Sequence, residues 1–105
     1  MVHHLSLLHT KPGVDGPGLE SMMVETRIRL LKIPEITNLH VGKRIDKENP
    51  ATLFFSFDVD NMEKLRLVKD SAIFIQFQRQ VLEPNVDRAD GRDYEMEPGK
   101  DVTYS

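Results

Sequence analysis

The feature of this sequence that most constrains its fold is the alternation in the segment TLFFSFDV, residues 52–59. The odd-numbered residues from Leu53 to Val59 are all apolar, whereas the even-numbered ones are Thr, Phe, Ser and Asp. Side chains of a β-strand point alternately to two faces, so this pattern predicts a strand with one apolar face. Residues 2–10, VHHLSLLHT, predict a second strand. The 105 residues leave room for one domain.

A loop, a helix and a third strand are predicted between these two. The segment KPGVDGPG, residues 11–18, predicts a loop because it contains three glycines and two prolines. From Leu19 to about Leu31, apolar residues recur at helical spacing. A second apolar line, Val24–Ile28–Leu31, lies on another side of this helix, which indicates either cover by a partner or a long loop, or a wide core stripe. Pro34 ends the helix, and residues 39–45 alternate as a strand.

The second half of the chain predicts helical structure and then a final strand. Asp60 and Glu63 have the spacing of a capping box, with Asp60 as the N-cap of a helix. Residues 71–84 fit either an alternating strand or a helix, and we predict a helix because QRQVL before Pro84 has helical spacing. Residues 92–96 then alternate as a strand.

The predicted order of elements is β-α-β-β-α-β, which is typical of the ferredoxin-like α+β fold. This fold is an antiparallel sheet with helices on one face. A second copy of the sheet is the economical cover for the other face, and two copies would form a dimeric α+β barrel. The sequence Glu97-Pro98-Gly99-Lys100 predicts a type II turn, after which residues 102–104 can form one more short strand.

Composition excludes several classes of protein. The chain has no cysteine, so disulfides and thiolate chemistry are excluded. Its net charge is −3 with dispersed basic residues, which argues against a nucleic-acid partner. No apolar stretch approaches the roughly 20 residues of a membrane span, and no signal-peptide pattern occurs, so we expect a cytoplasmic protein. We also expect no bound cofactor, since GVDGPG lacks the lysine of a phosphate loop.

Several stretches resemble the stress-responsive A/B barrel family, small dimeric α+β barrel proteins. These stretches are VHHLSLLHTKPG, IPEITNLHVGKRI, FSFDVDNMEKL, and FQRQVLEP with RDYE. They follow one another in the family's order over nearly the whole chain. The resemblance implies a single domain over residues 1–105, with residues 97–105 as a turn and tail, and a homodimer. It determines the fold better than the function, because the family includes a polyketide cyclase and stress-associated proteins without established chemistry.

The catalytic motif of the cyclase-type members is absent. Those members carry His-Pro-x-His on a helix, and its last histidine is the acid/base. With FQRQVLEP as the anchor, the motif falls on residues 71–74, which are Ser-Ala-Ile-Phe, and no histidine follows His40. The positions of the cyclase's tyrosine and second cleft histidine fall near Val68 and Ala51. Only the histidine of the first strand is retained, as His4, so we favour a function other than catalysis.

Three histidines in the first nine residues raise the question of a metal site. Because side chains alternate on a strand, His3 and His9 share one face and His4 points to the other. His3 and His9 are also about 20 Å apart, so we expect no metal site. The resemblance implies that His4 faces the helices, where it either acts as a general base or is a core histidine with a hydrogen-bond partner. We expect His40 to be exposed or at a sheet edge.

Our main hypothesis is a homodimeric A/B barrel that binds a small apolar or aromatic ligand in a cleft between sheet and helices. The alternative is a small cofactor-free enzyme, similar to a polyketide cyclase, isomerase or monooxygenase, with His4 as the catalytic base. A third hypothesis is a structural dimer whose interior is filled by Phe74 and Phe77. The predicted cleft residues besides His4 are Ser6, Leu8, Thr10, Met23, Phe54, Ile73, Phe74, Phe77 and Tyr94.

Overall fold

A computed structural model describes residues 1–97 of the chain and shows four antiparallel strands. The strands are β1 (Val2–Thr10), β2 (Thr37–Lys43), β3 (Leu53–Val59) and β4 (Val86–Glu95). The helices are α1 (Gly16–Leu30), α2 (Met62–Asp70), α3 (Ala72–Phe77), a π-helical turn (Gln78–Leu82) and α4 (Glu83–Asn85). The strand order in the sheet is β2-β3-β1-β4. This arrangement confirms the predicted ferredoxin-like α+β fold.

The hydrophobic core lies between the helices and one face of the sheet. The register pairs His4 with Phe57 and Ser6 with Phe55, so the even residues of β1 and the odd residues of β3 share this face. Phe57 and Phe77 are both fully buried. Each buried aromatic side chain of this kind contributes about 1.5–3 kcal/mol of hydrophobic stabilisation. The core therefore joins the two central strands to the helical layer.

The opposite side of the sheet, which we call the open face, carries a short apolar strip. Leu5, Leu7 and Phe54 form this strip, and all three are only partly buried. Leu7 and Phe54 are paired across β1 and β3. On β2, Gly42 lies directly beside Phe54, and a Cβ atom at residue 42 would collide with the Phe54 ring. The absence of a side chain at Gly42 is what allows that ring to lie across β2.

The first helix begins earlier than predicted. It starts at Gly16 rather than Leu19, because the Asp15 side chain accepts a hydrogen bond from the backbone nitrogen of Gly18 at 2.8 Å. Pro17 fits the first helical turn, where its missing N–H group is not needed. The second apolar line of α1 is not a core stripe, since Val24, Ile28 and Leu31 are 41%, 47% and 63% exposed.

The second half contains three departures from the prediction. Asn61, not Asp60, is the N-cap of α2, and its side chain accepts from the backbone nitrogen of Lys64 at 2.9 Å. The predicted helix over residues 71–84 is confirmed, but it widens into a π turn before Pro84, whose ring lacks an N–H donor and crowds the preceding turn. Strand β4 begins at Val86, well before residue 92.

Two further predictions concern the end of β2 and the residues that follow β4. Ile45 lies beyond the end of β2 and is fully exposed, so the predicted alternation to residue 45 stops two residues early. The predicted turn over residues 97–100 and the strand over 102–104 fall outside the described residues, apart from Glu97. Within residues 1–97, no helix is both long enough and apolar enough to cross a membrane.

Candidate functional site

His4 is buried between the sheet and the helices and has one polar partner. Its side chain is 5% exposed, and its ring centroid lies 5.1 Å from that of Phe57 and 6.1 Å from that of Phe55. The Nδ1 atom lies 2.6 Å from Oδ1 of Asp93, the residue directly opposite His4 on β4. Alternation along β1 thus places His4 on the helix side, and the register of β4 supplies its carboxylate.

Burial and charge act in opposite directions on the His4 imidazole. Burial lowers the pKa of His4, and it outweighs the hydrogen bond and negative charge of Asp93, which raise it. The nearby positive charge of Lys69 also lowers the pKa, and its Nζ atom lies 3.9 Å from Oδ2 of Asp93. His4 is therefore neutral at physiological pH.

The hydrogen bond to Asp93 also determines which ring nitrogen can react. Because a carboxylate oxygen accepts hydrogen bonds, Nδ1 of His4 donates and Nε2 carries the lone pair. No residue within 1–97 forms a hydrogen bond with Nε2, and no buried side-chain nitrogen or oxygen in that range lacks a partner. Nε2 is therefore not completely buried, and a small part of its surface is accessible. A neutral imidazole oriented in this way can accept a hydrogen bond or a proton from a ligand.

A small pocket reaches the carboxylate of this pair. It has a volume of about 210 Å³ and lies where β1 and β4 meet the start of α2. The lining residues are Met1, Val2, Asp60, Asn61, Met62, Asp93, Tyr94 and Glu95. The pocket therefore combines apolar side chains with three carboxylates, one of which is hydrogen-bonded to His4.

Part of the predicted cleft does gather on the helix side of the sheet. Ser6 and Leu8 are buried on the face of His4, and Thr10 donates a hydrogen bond to the Thr52 hydroxyl at 2.9 Å. Met23 and Ile73 are half-buried at the margin of the core.

Phe74 and Phe77 fill the space between the sheet and the helices. They are 3% and 0% exposed, and their ring centroids are 5.9 Å apart. The Phe77 ring also meets the Phe55 ring edge-on, at a centroid distance of 5.6 Å. The middle of the predicted cleft is therefore packed with aromatic side chains, and the described pocket near His4 lies at the end of the sheet.

Two predicted cleft residues lie on the wrong side of the sheet. Phe54 pairs with Leu7 and Tyr94 pairs with His3, so both belong to the open face and are separated from His4 by the sheet. Phe54 was ambiguous because large apolar residues occupy both faces of β3. Sequence reasoning also missed Asp93. The alternation in residues 92–96 was the available signal, because it puts Asp93 and Tyr94 on different faces of the strand.

The other three histidines lie on the open face. His3 Nδ1 lies 2.7 Å from Oδ1 of Asp58, and His9 Nε2 lies 3.2 Å from Oδ2 of Asp90. His40 is exposed on the edge strand β2, as expected. Within residues 1–97, no group of three or more His, Asp or Glu side chains could hold a metal ion. The three histidines of β1 therefore pair separately with carboxylates of neighbouring strands.

Comparison with known proteins identifies the fold through structure. No protein-family model matches the chain, and no curated protein matches it. A dabb family protein with a ferredoxin-like fold from Mesorhizobium loti superposes with a TM-score of 0.81 at 16% identity, over 92% of this chain and 97% of that one. A dimeric ferredoxin-like protein of unknown function from Thermobifida fusca gives a TM-score of 0.80 at 14% identity, over 90% of each chain.

An enzyme has the same fold. The hydroxynitrile lyase from Passiflora edulis superposes with a TM-score of 0.78 at 12% identity, over 99% of this chain and 96% of that one. The chain therefore has the ferredoxin-like fold that these structures share. The resemblance predicted from the sequence is confirmed at the level of the fold. The lyase activity is that of the Passiflora protein.

Proposed function

We propose that this chain is one subunit of a homodimeric A/B barrel protein that binds a small, neutral, partly apolar molecule beside His4 and Asp93. The observation that carries the proposal is the partly buried 2.6 Å hydrogen bond between these two side chains, of which Asp93 also lines a pocket. Buried polar groups require partners, and this pair leaves Nε2 of His4 to meet a ligand.

The size and charge of the pocket limit the ligand. A volume of about 210 Å³ lies below the range of roughly 300–1,000 Å³ that is typical of sites for drug-sized molecules. Asp60, Asp93 and Glu95 all line the pocket, so a negatively charged ligand is disfavoured there. A neutral phenol offers a hydroxyl that can reach the His4–Asp93 pair and a ring for Val2 and Met62, which line the pocket. We therefore expect phenols to bind better than small carboxylic acids.

The open face supports the homodimer. Its apolar strip of Leu5, Leu7 and Phe54 is covered by none of the described helices, and a like strip on a second copy would bury it. The Thermobifida fusca protein with this fold is dimeric. A stable pairing of this kind buries about 1,200–2,000 Å² of surface in total.

A second candidate function is a cofactor-free enzyme in which His4 is the catalytic base. Burial keeps His4 neutral, and Asp93 fixes its ring and stabilises the positive charge that appears when Nε2 takes a proton. The Passiflora edulis lyase shows that enzymes occur on this fold. The same pair that would bind a ligand would then remove a proton from it.

An NMR titration with a panel of small phenols and β-keto acids tests the binding function. We expect saturable shifts of the His4 imidazole and of the amides of Met62, Asp93 and Tyr94, with phenols binding more tightly. Loss of one buried hydrogen bond to the ligand in His4→Gln should weaken binding about 10-fold. His40→Gln is the matched control and should bind as the original chain does.

The outcome that contradicts the binding proposal is a folded chain that shows no saturable shift at these residues with any member of the panel. The enzyme candidate is tested on the compounds that bind. Turnover that disappears in His4→Gln and falls with acidification below pH 6.5 would support His4 as the base, since its pKa is lowered. Turnover that survives the substitution would exclude this role.

A further inference from the structure

We infer that acidification weakens the homodimer, because His3, His9 and His40 all lie on the open face. This inference rests on the proposed homodimer and concerns its regulation. The register places His3 and His9 on β1 opposite Tyr94 and Arg88 of β4, and places His40 on β2 opposite Ser56 of β3. Only His4, on the other side of the sheet, is outside this set.

Near one end of the sheet, His3 belongs to a cluster around Asp58. Asp58 is 8% exposed, and its carboxylate receives hydrogen bonds from His3 at 2.7 Å and from Asn38 Nδ2 at 2.9 Å. Burial alone would raise the pKa of Asp58, but its hydrogen bonds and neighbouring charges together outweigh burial and lower the pKa. Asp58 therefore stays negative over the range in which histidines titrate.

Near the other end of β1, His9 belongs to a similar cluster around Asp90. Arg88 Nε donates to Oδ1 of Asp90 at 2.9 Å, and His9 Nε2 lies 3.2 Å from Oδ2. The hydrogen bond from Arg88 lowers the pKa of Asp90, so this carboxylate also stays negative. The negative charge of Asp90 is already paired with the permanent positive charge of Arg88. A proton on His9 adds a second positive charge beside the same carboxylate.

Charged groups other than the histidines also lie on or beside the open face. The carboxylates are Asp58 on β3, Asp90 on β4, and Asp46, which lies in the β2–β3 loop beside Phe54. The guanidinium groups are Arg88 and Arg92 on β4, and Arg44 in the same loop. Tyr94 completes the titratable groups that face β1. Lys43 lines the same pocket as Arg44 and is paired with Glu20 at 2.7 Å. Each proton that the three histidines take up therefore adds one positive charge to the open face.

A two-fold axis brings identical faces together, so the added charges of one copy oppose those of the other. The pairs of His3 with Asp58 and of His9 with Asp90 exist within each copy, and so they stabilise the monomer and the dimer alike. They do not offset repulsion between copies. Like charges that face each other across an interface cost several kcal/mol. The dimer therefore binds fewer protons than two separate copies do.

Sedimentation velocity at pH 7.5 and pH 5.5, at constant ionic strength and several protein concentrations, tests the inference. We expect the Kd of the dimer to rise about 10- to 100-fold at the lower pH, since every 1.4 kcal/mol is tenfold. Circular dichroism confirms that the chain is folded under both conditions. An equal Kd at both pH values overturns the inference and leaves the dimer standing, whereas a monomer at both overturns the proposed homodimer.

Variants then assign the effect to the open face. The triple variant His3→Gln, His9→Gln, His40→Gln should keep nearly the same Kd at both pH values. His40→Gln alone, at an exposed edge position that the fold tolerates, should show a smaller change in Kd than the original chain. Val24→Asp, at an exposed position of α1 on the other side of the sheet, is the control and should keep the full response. A response that persists in the triple variant overturns the inference.

Discussion

His4 depends on its surroundings for both its burial and its protonation state. The rings of Phe55 and Phe57 remove its side chain from water, and the Asp93 carboxylate partly compensates. Because burial prevails, the pKa of His4 is lower in the folded chain than the usual value of about 6.5. The folded chain therefore binds this proton less readily than the unfolded chain does.

This difference predicts how stability responds to pH. The contribution of His4 is fully present above about pH 6.5 and is lost as the pH falls toward its lowered folded pKa, since the unfolded chain binds the proton first. Over that window, the free energy of unfolding should fall by about 1.4 kcal/mol for each pH unit. In His4→Gln, the free energy of unfolding should not show this decrease.

Urea unfolding at several pH values between 7.5 and 5 measures the effect, at protein concentrations where the midpoint does not depend on concentration. His40→Gln serves as the matched control and should follow the original chain. The lowered pKa of Asp58 contributes stability that is lost only at lower pH, below about 4, so it does not enter this window. Parallel curves for the original chain and His4→Gln would show that His4 does not carry the effect.

Among the helices, α2 shows how a single side chain decides where a helix begins. The sequence offers two neighbouring candidates for its N-cap, Asp60 and Asn61. In the structure, the Asn61 side chain accepts from the backbone of Lys64, and Asp60 instead lines the pocket beside Asp93. The cap directs Leu65 and Val68 into the core.

The two candidate caps can be separated by substitution. Asn61→Ala should lower the free energy of unfolding by about 1 kcal/mol, because the backbone N–H of Lys64 loses its acceptor. Asp60→Ala, the neighbouring control, should change it by less than about 0.5 kcal/mol, as a surface substitution does. Thermal or urea unfolding of the two variants measures both. An Asp60→Ala variant that proves the more destabilised would mean that the capping box suggested by the sequence forms after all.

For the molecule as a whole, the two faces of the sheet carry different sets of side chains. One face carries the core and His4, and the other carries the apolar strip, three histidines and their carboxylate partners. In the proposed assembly, the first face binds the ligand and the second binds the other copy. Ligand binding and dimer formation are therefore expected to respond to different substitutions.

A charge placed on either outer surface tests this division. Leu7→Asp puts a carboxylate in the centre of the open face and should weaken the dimer at least about 100-fold, because the buried charge has no partner. Val24→Asp puts the same charge on α1, at a residue that is 41% exposed, and should leave the dimer unchanged. Light scattering coupled to size-exclusion chromatography measures the mass of each. A dimeric Leu7→Asp variant would place the interface elsewhere.

Local patterns predicted most of the elements correctly. The strand over residues 2–10 was predicted from its Val, Leu and Thr content, and the strand over 52–59 from a period of two. The helix over 71–84 was predicted from the spacing around QRQVL. The beginnings of elements were harder, since Asp15, Asp60 and Asn61 all suit an N-cap and only the surrounding packing selects among them. The long strand β4 was underestimated because its polar residues carry no apolar alternation.

The candidate site was also predictable from the sequence only in part. Alternation along β1 by itself separates His4 from His3 and His9, and the composition alone excludes thiolate chemistry. The partner of His4 lies 89 positions away, at Asp93, and only the register between β1 and β4 brings the two together.

The tertiary structure also assigned Phe54 to the open face and filled the predicted cleft with Phe74 and Phe77. The physical reason is that periodicity is a property of neighbouring residues. Register and packing, in contrast, depend on loops and on side chains that meet only after the chain has folded. The sequence therefore determined that His4 points away from His3 and His9, and the tertiary structure decided what it meets.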